Sequence, residues 1–182
     1  MKRITIILGL FCLSSAIFAQ KYMTQSATLK FFSETPVENI EAVNNQVATV
    51  INADNGEIVY SLLIKAFVFE KALMQEHFNE KYMESETYPK STFKGKIEDF
   101  NIDDLSEEAK EYKVKGELTI HGVTKEIETI AKLSKVEGKV KALSNFSVEV
   151  ADYDIKIPST VRDNIAKTIA IKIDAEYEKM GG

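Results

Sequence analysis

Between Tyr112 and Ile120 apolar and polar side chains alternate: Tyr112, Val114, Leu118 and Ile120 fall on one face, Lys113, Lys115, Glu117 and Thr119 on the other. Successive side chains of a strand point to opposite faces, so this segment reads as a strand with one dry face and one wet face. A chain that repeats this pattern must gather its dry faces around a common interior. Antiparallel sheets do so, and helical architectures need a different period.

The pattern recurs. From Val123 to about Leu133, Ile127, Ala131 and Leu133 oppose Glu126, Glu128 and Lys132; after Glu137-Gly138, the run Val140, Ala142, Phe146, Val148 and Val150 opposes Lys141, Asn145, Ser147 and Glu149. A last strand, around Ile165 to Tyr177, sets Ile169, Ile171, Ile173, Ala175 and Tyr177 against Lys172, Asp174 and Glu176. Only His121-Gly122 separates the strands on either side of it, and two residues ending in Gly suit the tight primed turn of a hairpin. Upstream, residues 21 to 33, 45 to 53, 57 to 69 and 92 to 100 complete a set of about eight strands, with Asp54-Asn55-Gly56 a strong turn signal and Thr35 to Ala48 mostly polar. In the 57 to 69 segment both faces are apolar, Ile58, Tyr60, Leu62, Ile64 and Ala66 on one and Val59, Leu63, Phe67 and Phe69 on the other, which predicts that both are covered.

Helical periodicity stands out once, from Glu70 to Met83, where Met74, Phe78 and Tyr82 recur every four residues with Leu73 beside them; Tyr88-Pro89 closes that stretch. A short helical turn is expected at Ser106 to Lys110, with Ser106 as its cap. The sequence-level prediction is therefore all-β: one antiparallel eight-stranded barrel with one helix between the third and fourth strands.

The first residues read as an export signal. Lys2 and Arg3 form a positive start, Ile4 to Leu13 an apolar core too short to span a bilayer, and Ser14 to Ala19 a small-residue cleavage region. Cleavage after Ala19 divides the chain into a signal peptide, 1–19, and a barrel domain, 20–182. It removes the single cysteine, Cys12, and takes the formal charge from -5 to -7. Interspersed charges with an acidic balance argue against nucleic acid as a partner, and no later segment is apolar enough for stable membrane insertion. The expected location is the periplasm or the medium.

Catalytic chemistry finds little to work with. The mature chain keeps only His77 and His121, far apart and without metal-ligand spacing, no thiol and no nucleophile elbow. Its paired acids, Asp103-Asp104, Glu107-Glu108 and Asp152 with Asp154, fall in loops where solvation explains them. His121 is read as a corner residue whose ring hydrogen-bonds neighbouring backbone, and Tyr153 as a side chain able to reach the barrel mouth while the flanking acids stay wet. The reading is a non-enzyme with no catalytic residue, no metal and no cofactor.

The segment Val114-Lys115-Gly116-Glu117-Leu118-Thr119-Ile120-His121-Gly122-Val123-Thr124-Lys125 resembles the central signature of the YceI family. His77-Phe78, Tyr82, Tyr88-Pro89 and Phe93 are similar to that family's helix and the strand after it, and Phe146, Asp152-Tyr153, Ile155, Pro158 and Ile165-Ala166 to its closing segment. Residues 20 to 55 lack the His and the Gly-x-Phe pair usual on the family's first strands. The resemblance implies an extended lipocalin-like barrel, often a homodimer, whose tunnel takes a polyisoprenoid or similar long-chain lipid and which has no enzymatic activity.

Combined with the face assignments, this nominates a lumen. Leu62, Ile64, Phe93, Ile97 and Val114 come from the earlier strands, and Leu118, Phe146, Val148, Ile169 and Ile171 from the later ones. Phe67, Phe69, Met74, Phe78 and Tyr82, on or beside the helix, are expected to flank the entrance together with Tyr153. Alternation alone does not distinguish a hollow barrel from one filled by its own side chains. Two readings thus stay open at this point: a lipid carrier, and a non-enzymatic interaction or stress-response barrel with a solid core and no lipid ligand.

Overall fold

The computed structural model describes residues 20–180, so the proposed signal segment lies outside the described residues. In chain order the strands are β1 (Lys21–Glu34), β2 (Asn39–Asn52), β3 (Glu57–Leu63), the two-residue β4 (Val68–Phe69), β5 (Lys90–Ile97), β6 (Lys110–Ile120), β7 (Val123–Val136), β8 (Lys139–Glu149) and β9 (Thr168–Lys179). Helix α1 (Ala72–His77) continues into a π-helical turn, Phe78–Tyr82, where the Met83 amide donates to the Phe78 carbonyl at 2.9 Å. The helical stripe seen in the sequence thus lies between the third and fourth barrel strands.

Every neighbouring pair of strands is antiparallel, in the order β1-β9-β8-β7-β6-β5-β3-β2, and β1 also pairs with β2. That last pairing closes an eight-stranded barrel and leaves it without a long free edge. Strand β2 serves two partners: β3 pairs with Ala48 to Ile51, and β4 with Ala42 and Val43. The β6–β7 corner is the two-residue turn anticipated at His121-Gly122, with φ of 51° and 76°. Those left-handed values favour Gly122, and the Tyr88 ring packed over the turn adds a steric reason: a Cβ on Gly122 would lie 2.6 Å from it.

The structure corrects the sequence reading in several places. Strand β2 begins at Asn39, six residues before the predicted start. Register shifts near Thr24 to Leu29 of β1 break the alternation of both strands, and one of them seats Asn44 inside the barrel, where its side chain donates to the Leu63 carbonyl and accepts from the Gln46 amide. The 57 to 69 segment is not one strand. It stops at Leu63, makes a 3₁₀ turn over Ile64–Ala66 and resumes as β4.

That turn also overturns the expectation of two covered faces. Val59 and Leu63 are 42% and 47% exposed on the outer surface, while Phe67 and Phe69, past the turn, point inward and are buried. Finally, Ser106 to Lys110 is not helical. The turn forms earlier, at Ile102–Asp104, where the Asn101 side chain accepts from the Asp103 amide and Ile102 is buried as an anchor.

One end of the barrel is solid. Tyr22, Ile51, Ala53, Ile102, Leu105, Tyr112, Val140 and Tyr177 are all buried. They sit where β1, β3, β6 and β8 begin and β2, β5, β7 and β9 end. At the opposite end lie α1, the 3₁₀ turn Val150–Tyr153 and the irregular segment 154–167. This polarity, packed floor below and irregular cover above, positions the site.

Candidate ligand cavity

Between floor and cover the barrel is hollow. A cavity of about 560 Å³ runs from Ile97, Leu133 and Ile173 near the floor to Leu73, His77 and Ile165 under the cover. Its wall is formed by the inward faces of the barrel strands and is overwhelmingly aliphatic and aromatic. An apolar surface of this kind gains free energy by taking apolar groups out of water.

All sixteen residues nominated from the sequence lie on this wall. Leu62, Phe93, Ile97, Val114 and Leu118 come from β3, β5 and β6, Phe146, Val148, Ile169 and Ile171 from β8 and β9, and Ile64 from the 3₁₀ turn. Phe67, Phe69, Met74, Phe78 and Tyr82 frame the covered end. Tyr153 is buried beneath the exposed acids Asp152 and Asp154, and burial, reinforced by the charge of Asp152, raises its pKa.

Sequence reasoning missed other wall residues. Leu29, Phe31 and Ile40 were hidden by the broken alternation of β1 and β2, and Ile155, Ile157, Val161 and Ile165 by belonging to no strand. A signal did exist for two of these, since Ile155-Lys156-Ile157 alternates as a strand does. Phe31 matters most. Its ring centroid lies 5.3 Å from Phe67, 5.7 Å from Phe69 and 5.4 Å from Phe78, so one strand residue fastens β4 and the helical segment over the cavity.

Two local devices shape the wall. Gly95 and Gly116 face each other across β5 and β6, and the Phe93 ring lies over both: Cβ atoms built there would come within 2.5 Å and 2.8 Å of Phe93 Cζ. The missing side chains let a large ring lie flat on the sheet rather than stand in the lumen. The few polar wall groups are mostly spent on the protein itself. Ser91 donates to the Thr119 carbonyl and Ser144 to the Ile130 carbonyl, each at 2.8 Å, and Thr129 meets Ser144 at 3.2 Å.

The mouth carries a polar clasp. Lys71, just before α1, donates to Glu38 at 3.0 Å, and Asn164 of the irregular cover donates to the other Glu38 oxygen at 3.3 Å. The hydrogen bond from Lys71, then that from Asn164, holds the Glu38 carboxyl below its ordinary pKa. Ser33 on β1 accepts from the Ala166 amide at 2.8 Å, a second tie to the same cover.

His121 anchors the opposite side. One ring nitrogen meets the Tyr153 carbonyl at 3.1 Å and the other Glu84 at 2.9 Å, with the Tyr88 ring 4.5 Å away. The backbone partner is thus thirty-two positions away in the chain, not in the turn itself. The contact links the β6–β7 corner to the chain after α1 and to the Val150–Tyr153 turn. Among the described residues no group of three or more His, Cys, Asp and Glu side chains is placed to hold a metal ion. None of the described helices is long and apolar enough to cross a membrane.

A closed barrel with a hollow apolar interior and an aromatic cover also has counterparts among known proteins. The model of the YceI-like domain matches residues 16–177. This chain belongs to the YceI family. Solved structures share the fold at low sequence identity. A polyisoprenoid-binding domain from Saccharophagus degradans, implicated in plant cell wall breakdown, superposes with a TM-score of 0.76 at 17% identity, covering 88% of this chain and 98% of that one. BcnA of Burkholderia cenocepacia gives 0.69 at 14% identity over 83% and 95% of the two chains. The Campylobacter jejuni YceI protein gives 0.62 at 18% identity over 82% and 90%. No curated protein matches this sequence.

Proposed function

We propose that this YceI-family protein is an exported, non-catalytic lipid-binding protein that holds a polyisoprenoid or similarly long apolar chain in its barrel, for carriage or storage across an aqueous compartment. The observation that carries the reading is the continuous apolar lining of the cavity. Side chains that would otherwise meet across the middle leave about 560 Å³ open, against the ~300–1,000 Å³ usual for small-molecule sites. The open interior favours this reading over a barrel with a solid core.

The energetics favour such a ligand. Each methylene taken out of water contributes about 0.8 kcal/mol, so a chain several isoprene units long needs no strong polar contact to be retained. The polyisoprenoid-binding relative from Saccharophagus degradans supports the choice of ligand class. Residues 1–19 supply the export step in this reading, delivering the barrel to the periplasm or beyond.

The test is uptake. Protein incubated with polyprenol-loaded vesicles and then re-isolated is expected to carry close to one extractable chain per barrel. Re-isolated protein free of polyprenol and of fatty acyl chains refutes the proposal.

A further inference from the structure

Toward its floor the cavity meets a chain of hydroxyl groups. Tyr177, on β9, places its hydroxyl 3.0 Å from Thr49 on β2 and 2.8 Å from Tyr60 on β3. Thr49 and Tyr177 are buried behind the wall, with 1% and 0% of their surface accessible. Tyr60 forms part of the wall itself. It lies deep in the protein yet keeps accessible surface, because that surface faces the lumen.

Hydrogen counting makes this chain unusual. Three hydroxyls bring three hydrogens, and the two contacts use two. Thr49 and Tyr60 are cross-strand neighbours whose hydroxyls come near each other, but the two contacts with hydrogen-bonding geometry both run through Tyr177. The remaining hydrogen emerges from Thr49, from Tyr177 or from Tyr60. The first two sit in the packed floor, where an unspent donor is costly. The order Thr49 to Tyr177 to Tyr60 places it instead on the one member that borders open space.

Ser91 and Ser144 on the same wall direct their hydrogens at backbone carbonyls, whereas Tyr60 is left with a hydrogen to give. Burial raises the Tyr60 pKa, with the hydroxyls of Tyr177 and Thr49 pulling the other way, and it raises that of Tyr177 further. Both phenols therefore stay protonated, and thus donors, across the neutral range.

Building on the lipid-binding reading, we infer that the deep end of the cavity recognises oxygen: the Tyr60 hydroxyl donates to a hydroxyl, carbonyl or phenolic oxygen on the inward-facing end of the bound lipid. The ligand class narrows from any long hydrocarbon to an oxygenated lipid that enters oxygen first. The mouth, with Lys71, His77 and Asn164, then closes over the hydrocarbon end.

The experiment is a two-by-two titration. Palmityl alcohol and hexadecane are each titrated into the wild type and into Tyr60→Phe, by displacement of an environment-sensitive fluorescent probe. The expected result is roughly tenfold weaker alcohol binding in Tyr60→Phe with hexadecane unchanged, since only the alcohol loses a buried partner. Equal effects on the two ligands, or none on either, overturn the inference while leaving lipid binding intact. Failure of the wild type to bind both overturns lipid binding and the inference with it. Should Tyr60→Phe not fold, a crystal structure of the wild type with palmityl alcohol decides. The inference requires the alcohol oxygen within about 3 Å of Tyr60 Oη, and an oxygen found at the mouth beside His77 or Lys71 contradicts it.

Discussion

Replacing Gly116 by alanine should shrink the lumen, because the added carbon meets two backbone atoms of β5 and the Phe93 ring that now lies flat over the glycine. A Cβ at position 116 would lie 2.3 Å from the Lys94 carbonyl oxygen, 2.4 Å from Gly95 Cα and 2.8 Å from Phe93 Cζ. The first two are backbone of β5, so the strands must part; the third is the end of a ring whose free direction is the lumen. Overpacking of this order costs about 1–3 kcal/mol. At roughly 2–4 °C per kcal/mol for a domain of this size, Tm falls by about 2–12 °C.

Stability alone does not isolate the mechanism, so Gly138→Ala serves as the control. Gly138 has a φ of 82° and nothing within 4 Å of its would-be Cβ, so that variant meets only the left-handed backbone penalty of about 1–2 kcal/mol. Both variants lose stability, but only Gly116→Ala should lose lipid, measured as chain extracted per barrel after exposure to loaded vesicles. A Gly116→Ala protein with unchanged Tm and unchanged lipid content refutes the account of how the lumen is kept open.

Two further outcomes follow from the contacts around the cover. His121→Asn preserves the left-handed corner, which Asn tolerates, but removes the ring's bonds to Tyr153 and Glu84; urea unfolding should show a loss of about 1–2 kcal/mol with lipid content unaltered, and an unchanged midpoint contradicts the anchoring role. Glu38→Gln should speed lipid exchange in stopped-flow measurements by loosening the clasp on Lys71 and Asn164. Because the folded pKa of Glu38 is lowered, the clasp's contribution is present above the ordinary value of 4.5 and is lost only as pH falls below it, so wild-type exchange should be flat from neutral pH to about 5 and accelerate under stronger acid. Equal exchange rates in the two proteins at neutral pH contradict the clasp.

What could be read from the sequence depended on how far one local rule ran without interruption. Strands β5 to β9 keep their alternation, and their inward residues, from Phe93 to Ile171, were assigned to the correct face. Strands β1 and β2 carry compensating register shifts, so a polar Asn44 faces inward and Phe31 escaped notice. The 3₁₀ turn at Ile64–Ala66 reverses the facing of Phe67 and Phe69, which a straight strand would leave outside with Val59 and Leu63.

Other features depend on pairing, which periodicity does not encode. Gly95 opposes Gly116 only because β5 and β6 meet in one register. Tyr60 reaches Tyr177 across 117 positions of chain only because β1 closes the barrel between β9 and β2. For the same reason alternation nominated the wall of the cavity without revealing that there was one. Hollowness is a property of circumference and of what the inward side chains leave unfilled.

The most direct test of that hollowness is calorimetric affinity along a homologous series of straight-chain alcohols. If the lumen is dry and accepts the chain, each added methylene tightens binding by about 0.8 kcal/mol, roughly fourfold, until the cavity is full, and then no further. An affinity that does not change with chain length from the shortest member onward means that the chains bind elsewhere, and the carrier reading falls.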